Sequence, residues 1–145
     1  MTDTPFNGAK LALLHGDELL VYRRDCKPDL EYANCWDLPG GGRENEETPI
    51  ECALRELHEE FGLHLAAERL EWARLYPPRS AGRLPSWFFA GQIEPAEIRQ
   101  IRFGDEGQYW QMMTVAVFLE HPAAVPHLPG RLWDYLQDCG RATKG

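Results

Sequence analysis

Three carboxylates in this chain, Glu56, Glu59 and Glu60, recur at a spacing that could do metal chemistry. In a helix that turns about 100° per residue, positions i, i+3 and i+4 stack along one side within an arc of about 100°. Carboxylates crowded there repel one another, so the arrangement gains nothing unless a divalent cation sits among them. The expected ion is Mg²⁺ or Mn²⁺. Arg55 lies one turn from both Glu51 and Glu59 and can pair with either, holding Glu59 in place. The rival reading is an ordinary solvated acidic helix. It leaves unexplained the glycine run Gly40-Gly41-Gly42 just upstream and the spacing of Glu47 and Arg55.

The helix that must carry these groups is legible from its ends. Thr48 suits the N-cap, Pro49 the first helical position, and Glu51 completes a Thr-x-x-Glu capping box. Gly62 is a suitable left-handed stop. Ile50, Ala53, Leu54, Leu57 and Phe61 share one face, expected to pack on the core, with the glutamates beside it.

The whole stretch from Gly41 to Leu63 resembles the signature of the Nudix hydrolases. That signature is Gly, five residues, Glu, seven residues, Arg-Glu-apolar, one residue, Glu-Glu, one residue, Gly-apolar. Gly41, Glu47, Arg55-Glu56-Leu57, Glu59-Glu60 and Gly62-Leu63 meet every defined position. The flanks resemble the MutT-like, nucleotide-cleaning branch: Arg23-Arg24 at a strand end, Trp36-Asp37-Leu38-Pro39-Gly40 before the box, and Asp105-Glu106-Gly107-Gln108 ahead of Trp110. The resemblance implies an α/β/α sandwich around a mixed central β-sheet. It implies metal-dependent hydrolysis of a phosphoanhydride in a nucleoside triphosphate or modified (for example oxidised) nucleotide, giving the monophosphate and pyrophosphate. It adds the Gly40 carbonyl and Glu106 to Glu56, Glu59 and Glu60 as metal ligands. Glu56 or Glu59 is the favoured base, with Glu106 as the alternative; Arg55 joins the catalytic set by holding Glu59, and Glu47 supports the loop and helix. Other phosphoanhydrides remain open on the same pattern, namely ADP-ribose, dinucleotide polyphosphates and RNA 5′-ends. So does a non-catalytic nucleotide-binding regulator, although such proteins usually lose box carboxylates that this chain keeps.

Substrate contacts are less sharply written. Strand alternation sends Arg23 and Arg24 to opposite faces, so one of them is expected to reach the phosphates. The resemblance matches Arg23 to a phosphate-contacting arginine. Trp36 is a candidate for stacking on a base or, equally simply, for packing beside a core strand. Arg79 and Trp87 are weaker candidates.

Composition limits the alternatives. The 145 residues are expected to form one domain, and a formal charge of −8 argues against long nucleic acid or a membrane surface as partner. A small nucleotide is the expected partner, and oligomeric state is open between monomer and homodimer. Cys26, Cys35, Cys52 and Cys139 show no zinc-like spacing and read as reduced thiols, with Cys52 a packing residue. No apolar run is long enough to span a bilayer, and Met1-Thr2-Asp3-Thr4-Pro5 does not read as a signal peptide, which predicts a cytoplasmic protein.

Strands are expected at Ala9 to His15 and Glu18 to Arg23 around a Gly16-Asp17 turn, at Trp36 to Leu38, at Leu70 to Tyr76 and at Ser86 to Ile93. Gln108 to Met112 reads as a strand end. Thr114 caps a short helix to Glu120, and a terminal helix spans Pro129 to Cys139 with Leu132, Trp133 and Leu136 at core spacing. Pro95 to Phe103 carries no clear signal.

Overall fold

A computed structural model describes residues 4–140. Met1-Thr2-Asp3, the start of the segment read as no signal peptide, and residues 141–145 lie outside the described residues.

The apolar runs near the N-terminus form an antiparallel hairpin, β1 (Gly8–His15) and β2 (Glu18–Arg23), closed by Gly16 at a positive φ of 62°. The two strands pair only at the turn, through Leu14 with Leu19 and His15 with Glu18. Beyond it they splay, and the segment from Trp36 to Gly42 fills the gap. β3 (Trp36–Asp37) pairs with β2, and β4 (Gly40–Gly42) pairs with β1. This wedge carries the glycine run into the middle of the sheet, where sequence reading expects only a loop.

The sheet is completed by β5 (Leu70–Tyr76), β6 (Ser86–Gln92) and β7 (Tyr109–Thr114). β6 runs parallel to β1, β5 antiparallel to β6, and β7 antiparallel to β2, so the seven-stranded sheet is mixed. Helix α1 (Pro49–Phe61) covers one face. It buries Cys52, Ala53, Leu57 and Phe61 against Leu11, Leu13, Leu20 and Phe89. On the other face, α3 (Val115–Leu119) and α4 (Leu128–Asp138) pack Phe118, Leu128, Leu132 and Tyr135 on Leu14, Val21 and Phe88. A short helix, α2 (Pro95–Arg99), occupies the stretch without a clear signal, capped by reciprocal bonds between Glu94 and Glu97. Alternation along β1 explains the two cores: Ala9, Leu11 and Leu13 face α1, while Ala12 and Leu14 face α4.

The α/β/α sandwich is as expected, and so are the α1 caps: Thr48 and Glu51 form the reciprocal capping box and Gly62 sits at φ 69°. Two core assignments are corrected. Ile50 is 36% exposed, because it lies in the first turn at the rim of the apolar face. Trp133 is 41% exposed; the face that α4 buries runs through Leu128, Arg131, Leu132, Tyr135 and Leu136. Among the described residues all four cysteines are free, and no helix is long and apolar enough to cross a membrane.

Candidate active site

β4 and α1 meet so closely that a side chain on Gly41 would have to displace the Glu56 carboxyl. A Cβ on Gly41 would stand 2.6 Å from the Glu56 carboxyl carbon. Gly40, at φ 127°, has its Cβ direction blocked by the Ala9 carbonyl at 2.1 Å. The Gly40 amide donates to Glu60 Oε1 at 2.9 Å. Glu56 and Glu60 are thus laid directly against the backbone of β4, which explains why the loop must be glycine-rich.

Arg55 organises the remaining box acids. Its Nε donates to Glu47 Oε2, and its Nη2 donates to Glu47 Oε1 at 3.2 Å and to the Gly42 carbonyl at 2.8 Å. Its Nη1 reaches Glu59 Oε1 at 3.0 Å and Glu56 Oε2 at 3.3 Å. Glu47 closes the loop by accepting from the Glu44 amide, and Arg43 ties to the Glu47 carbonyl. The guanidinium bond from Arg55 holds the Glu47 carboxyl below the usual range. Arg55 therefore braces the loop against the helix through Glu47 and the Gly42 carbonyl.

The other carboxylates are under the opposite stress. Burial pushes Glu56 up and drives Glu60 up to about 8, with the neighbouring acids adding to the effect. Glu59 is 54% exposed and turned toward Arg55. The three glutamates share a side of the helix but do not converge, and among the described residues no group of three or more acidic, His or Cys side chains is gathered as a metal cluster. Arg55 bridges Glu56 and Glu59 through Nη1, while Glu60 turns to the Gly40 amide.

A second cation, not anticipated from sequence, stands close by. Lys10 Nζ donates to Asp37 Oδ2 at 3.1 Å, to the Leu38 carbonyl at 3.1 Å and to the Gly40 carbonyl at 3.0 Å. The carbonyl expected to hold metal is thus engaged by an ammonium. Asp37 is 1% exposed and also accepts from Arg24 Nη1 at 2.9 Å, from Tyr22 and from the Leu38 amide. Burial alone would raise its carboxyl, but Lys10, the Leu38 amide and Arg24 hold it below the ordinary range. The available signal was a lysine inside an otherwise apolar strand.

On the α4 side of β4 lies a cavity of about 280 Å³. Lys10, Arg24, Arg79 and Arg131 line it, together with His127 and the edge of Gly41 and Gly42. Arg23 is not among its walls. As alternation requires, it points elsewhere, donating to the Asn34 carbonyl at 3.0 Å and lying 5.3 Å over the Trp36 ring. Trp36 itself is 5% exposed and packed edge-on by Tyr109 and His121, so its place is in the core. Trp87 stacks on Phe89.

Glu106 is exposed, on a loop anchored at both ends. The Gly104 amide donates to the Glu60 carbonyl at 2.9 Å, and the Gly107 amide to Asp25 Oδ2 at 3.2 Å. Gly107, at φ 99°, leaves no room for a Cβ against Phe103 and Tyr22. Glu106 lines a smaller cavity of about 200 Å³ with Tyr22, Arg24 and Asp25. The fold thus ties its loop to the C-terminal end of the box helix.

A family model for the NUDIX domain matches residues 6–131, nearly all of this architecture. The chain belongs to the NUDIX family. Among curated NUDIX relatives, it is 34% identical over 95 residues to an RNA pyrophosphohydrolase of Mesorhizobium japonicum, covering 54% of this chain and 55% of that protein. It is 35% identical over 86 residues to the human m7GpppN-mRNA hydrolase NUDT17, covering 55% of this chain and 26% of that one. The chain thus spans about half, or less, of the length of these relatives. Among solved structures, a bifunctional NMN adenylyltransferase/ADP ribose pyrophosphatase from Francisella tularensis, complexed with AMP and a Mn ion, superimposes with a TM-score of 0.72. It is 23% identical, and the match covers 94% of this chain and 43% of that one, a likeness of fold.

Proposed function

We propose that this NUDIX protein hydrolyses a phosphoanhydride bond in a nucleoside triphosphate or modified nucleotide, releasing the monophosphate and pyrophosphate with Mg²⁺ or Mn²⁺. The observation that carries the reading is the pressing of Glu56 and Glu60 against the glycine backbone of β4. Both carboxyls are raised by burial, a state that a cation would relieve. In this reading Glu56, Glu59 and Glu60 hold the metal with help from Glu106. The Gly40 carbonyl joins them only if it gives up its bond from Lys10. When bound, such an ion neutralises phosphate charge and lowers the pKa of water.

The chain's own residues do the rest. Arg55 keeps Glu47 and Glu59 in register with the loop. Arg24 and Lys10 fix Asp37, and with it the backbone leading into β4. In this reading Arg79 meets substrate in the larger cavity, which Arg24 also lines, while Arg23 and Trp36 lie outside its walls. The proton of the attacking water passes to one of Glu56, Glu59 and Glu106.

The names of the two relatives favour a second reading, in which the substrate is the 5′-end of an RNA. The charge of −8 opposes a long RNA tract, but the cavity offers local positive charge. One experiment tests both: turnover, with Mg²⁺ and with Mn²⁺, of a panel of nucleoside triphosphates, an oxidised nucleotide, ADP-ribose, dinucleoside polyphosphates and a short 5′-triphosphorylated RNA. Mononucleotide turnover supports the first reading, and preference for RNA supports the second. No turnover of any member sinks the enzymatic reading and leaves a nucleotide-binding role.

A further inference from the structure

The larger cavity contains positive charge that the protein itself leaves unanswered. Lys10 and Arg24 are committed to Asp37. Arg131 is not committed to any acid. It is only 7% exposed, yet its contact among the described residues is the face of Tyr76, whose ring centroid lies 4.5 Å away. The nearest candidate acid on its own helix, Asp134, is already taken by Arg74 and by the Tyr76 hydroxyl. Arg79, on the opposite lip, bonds the Tyr32 hydroxyl and packs on that ring. It too has no carboxylate partner among the described residues.

A guanidinium removed from water without an anion is costly, and the cost falls when an anion arrives. Among the described residues no sealed side-chain nitrogen or oxygen lacks a hydrogen-bond partner. The unbonded nitrogens of Arg131 must therefore open onto the cavity it lines. Burial, with Arg131 and Arg79 adding to it, pushes His127 down to about 4, so the imidazole is neutral and adds no third charge. Glu31 is the remaining acid of the lining, and it is exposed at the mouth.

We propose that Arg131 and Arg79 form a binding site for a phosphate group of the substrate remote from the bond that is cleaved. The proposal rests on the reading of Glu56 and Glu60 as the hydrolytic face and deepens it. β4 separates that face from this cavity, with Gly41 touching Glu56 on one side and lining the cavity on the other. A nucleotide laid across the strand presents one phosphorylated end to each side. With about 280 Å³, the cavity has room for a phosphate-bearing end group. The favoured substrates are then nucleotides with a second phosphate-bearing end, in preference to simple 5′-phosphorylated nucleosides.

The test is calorimetric titration of the full chain, in EDTA, with adenosine 5′-monophosphate and with adenosine 3′,5′-bisphosphate. Charge-assisted bonds of this kind correspond to about 10- to 100-fold in affinity. The bisphosphate is expected to bind at least ~10-fold more tightly than the monophosphate, and Arg131→Gln and Arg79→Gln should each remove most of that advantage. Arg79 is exposed, so its variant reports even if Arg131→Gln fails to fold. Equal affinities, no measurable binding of either ligand, or an advantage that survives Arg79→Gln would overturn the proposal. Because metal is absent, the outcome is separate from turnover: a protein that cleaves the Mg²⁺ panel but shows no bisphosphate advantage loses this inference alone, and the reverse result loses only the hydrolytic one.

Discussion

Replacing Glu60 by glutamine is expected to stabilise the metal-free protein at alkaline pH. Burial raises the Glu60 carboxyl from the ordinary 4.5 to about 8, against the pull of Lys10 and of the Gly40 amide. Between those values the folded state keeps a proton that the unfolded chain has released. Stability contributed by this group is therefore complete below about 4.5 and is lost as pH rises through about 8. At about 1.4 kcal/mol for each pH unit, the span sets an upper bound of roughly 5 kcal/mol, which local relaxation reduces to about 2–3 kcal/mol. Glutamine retains an oxygen to accept from the Gly40 amide, now 2.9 Å from Glu60 Oε1, and removes the titration. Urea unfolding in EDTA at three pH values from 5.5 to 8.5 reads the difference between parent and variant, in which the other carboxylates cancel. That difference should grow with pH in the variant's favour, and millimolar Mg²⁺ should shrink it by stabilising the parent. A parent at least as stable as the variant at pH 8.5, or a difference indifferent to pH, would refute the claim that Glu60 is held under electrostatic stress.

Gly41→Ala should place a methyl against the Glu56 carboxyl and lower kcat/KM by at least ~10²-fold with the far-ultraviolet dichroism unchanged, since a flexible side-chain end yields rather than the fold; activity within a few-fold of the parent would mean that Glu56 need not lie where it does. Glu56→Ala should blunt the rise in Tm that millimolar Mg²⁺ or Mn²⁺ gives the parent, and equal responses would remove Glu56 from the ligands. Glu106→Gln should lower kcat more than it raises KM, because an acid that acts on metal or water is felt in the transition state; an effect confined to KM would make it a binding residue.

Much of the fold was written locally. Thr48, Pro49, Glu51 and Gly62 fix the ends of α1 through their own backbone bonds, and the alternation of Ala9 to Leu14 marks a strand buried on both faces. What escaped depends on partners far along the chain. β4 reads as a glycine loop because its pairing is with β1, some thirty residues away (Lys10 with Gly40). The box glutamates were legible as neighbours on a helix, but the bridging of Glu56 and Glu59 by Arg55, with Glu60 turned to the Gly40 amide, is a matter of side-chain direction. Which of Arg23 and Arg24 faces the cavity could not be read until the faces of β2 were assigned; it is Arg24 that lines it. Two signals went unused: Lys10 in an apolar strand, and Arg131 on the face of α4 shared by Leu128, Leu132 and Tyr135. A charge on an apolar stripe is informative because it is expensive to keep there.

The parallel pairing of β1 with β6 also bears on how the chain is made. Ala9 aligns with Trp87 and Leu14 with Gln92, so one long edge of the central strand waits for residues nearly eighty positions downstream. At ~5–20 residues per second of synthesis, that wait lasts on the order of several seconds to a quarter of a minute. Meanwhile β2 can close only the turn end of β1, and the edge of Leu11 and Leu13 that β6 will cover has no strand beside it. An edge of that kind invites pairing with another nascent chain. Slow synthesis before Ser86–Gln92 has emerged from the ribosome would prolong the vulnerable interval, whereas a pause after it has emerged would not, which makes the yield of folded protein sensitive to where the ribosome dwells.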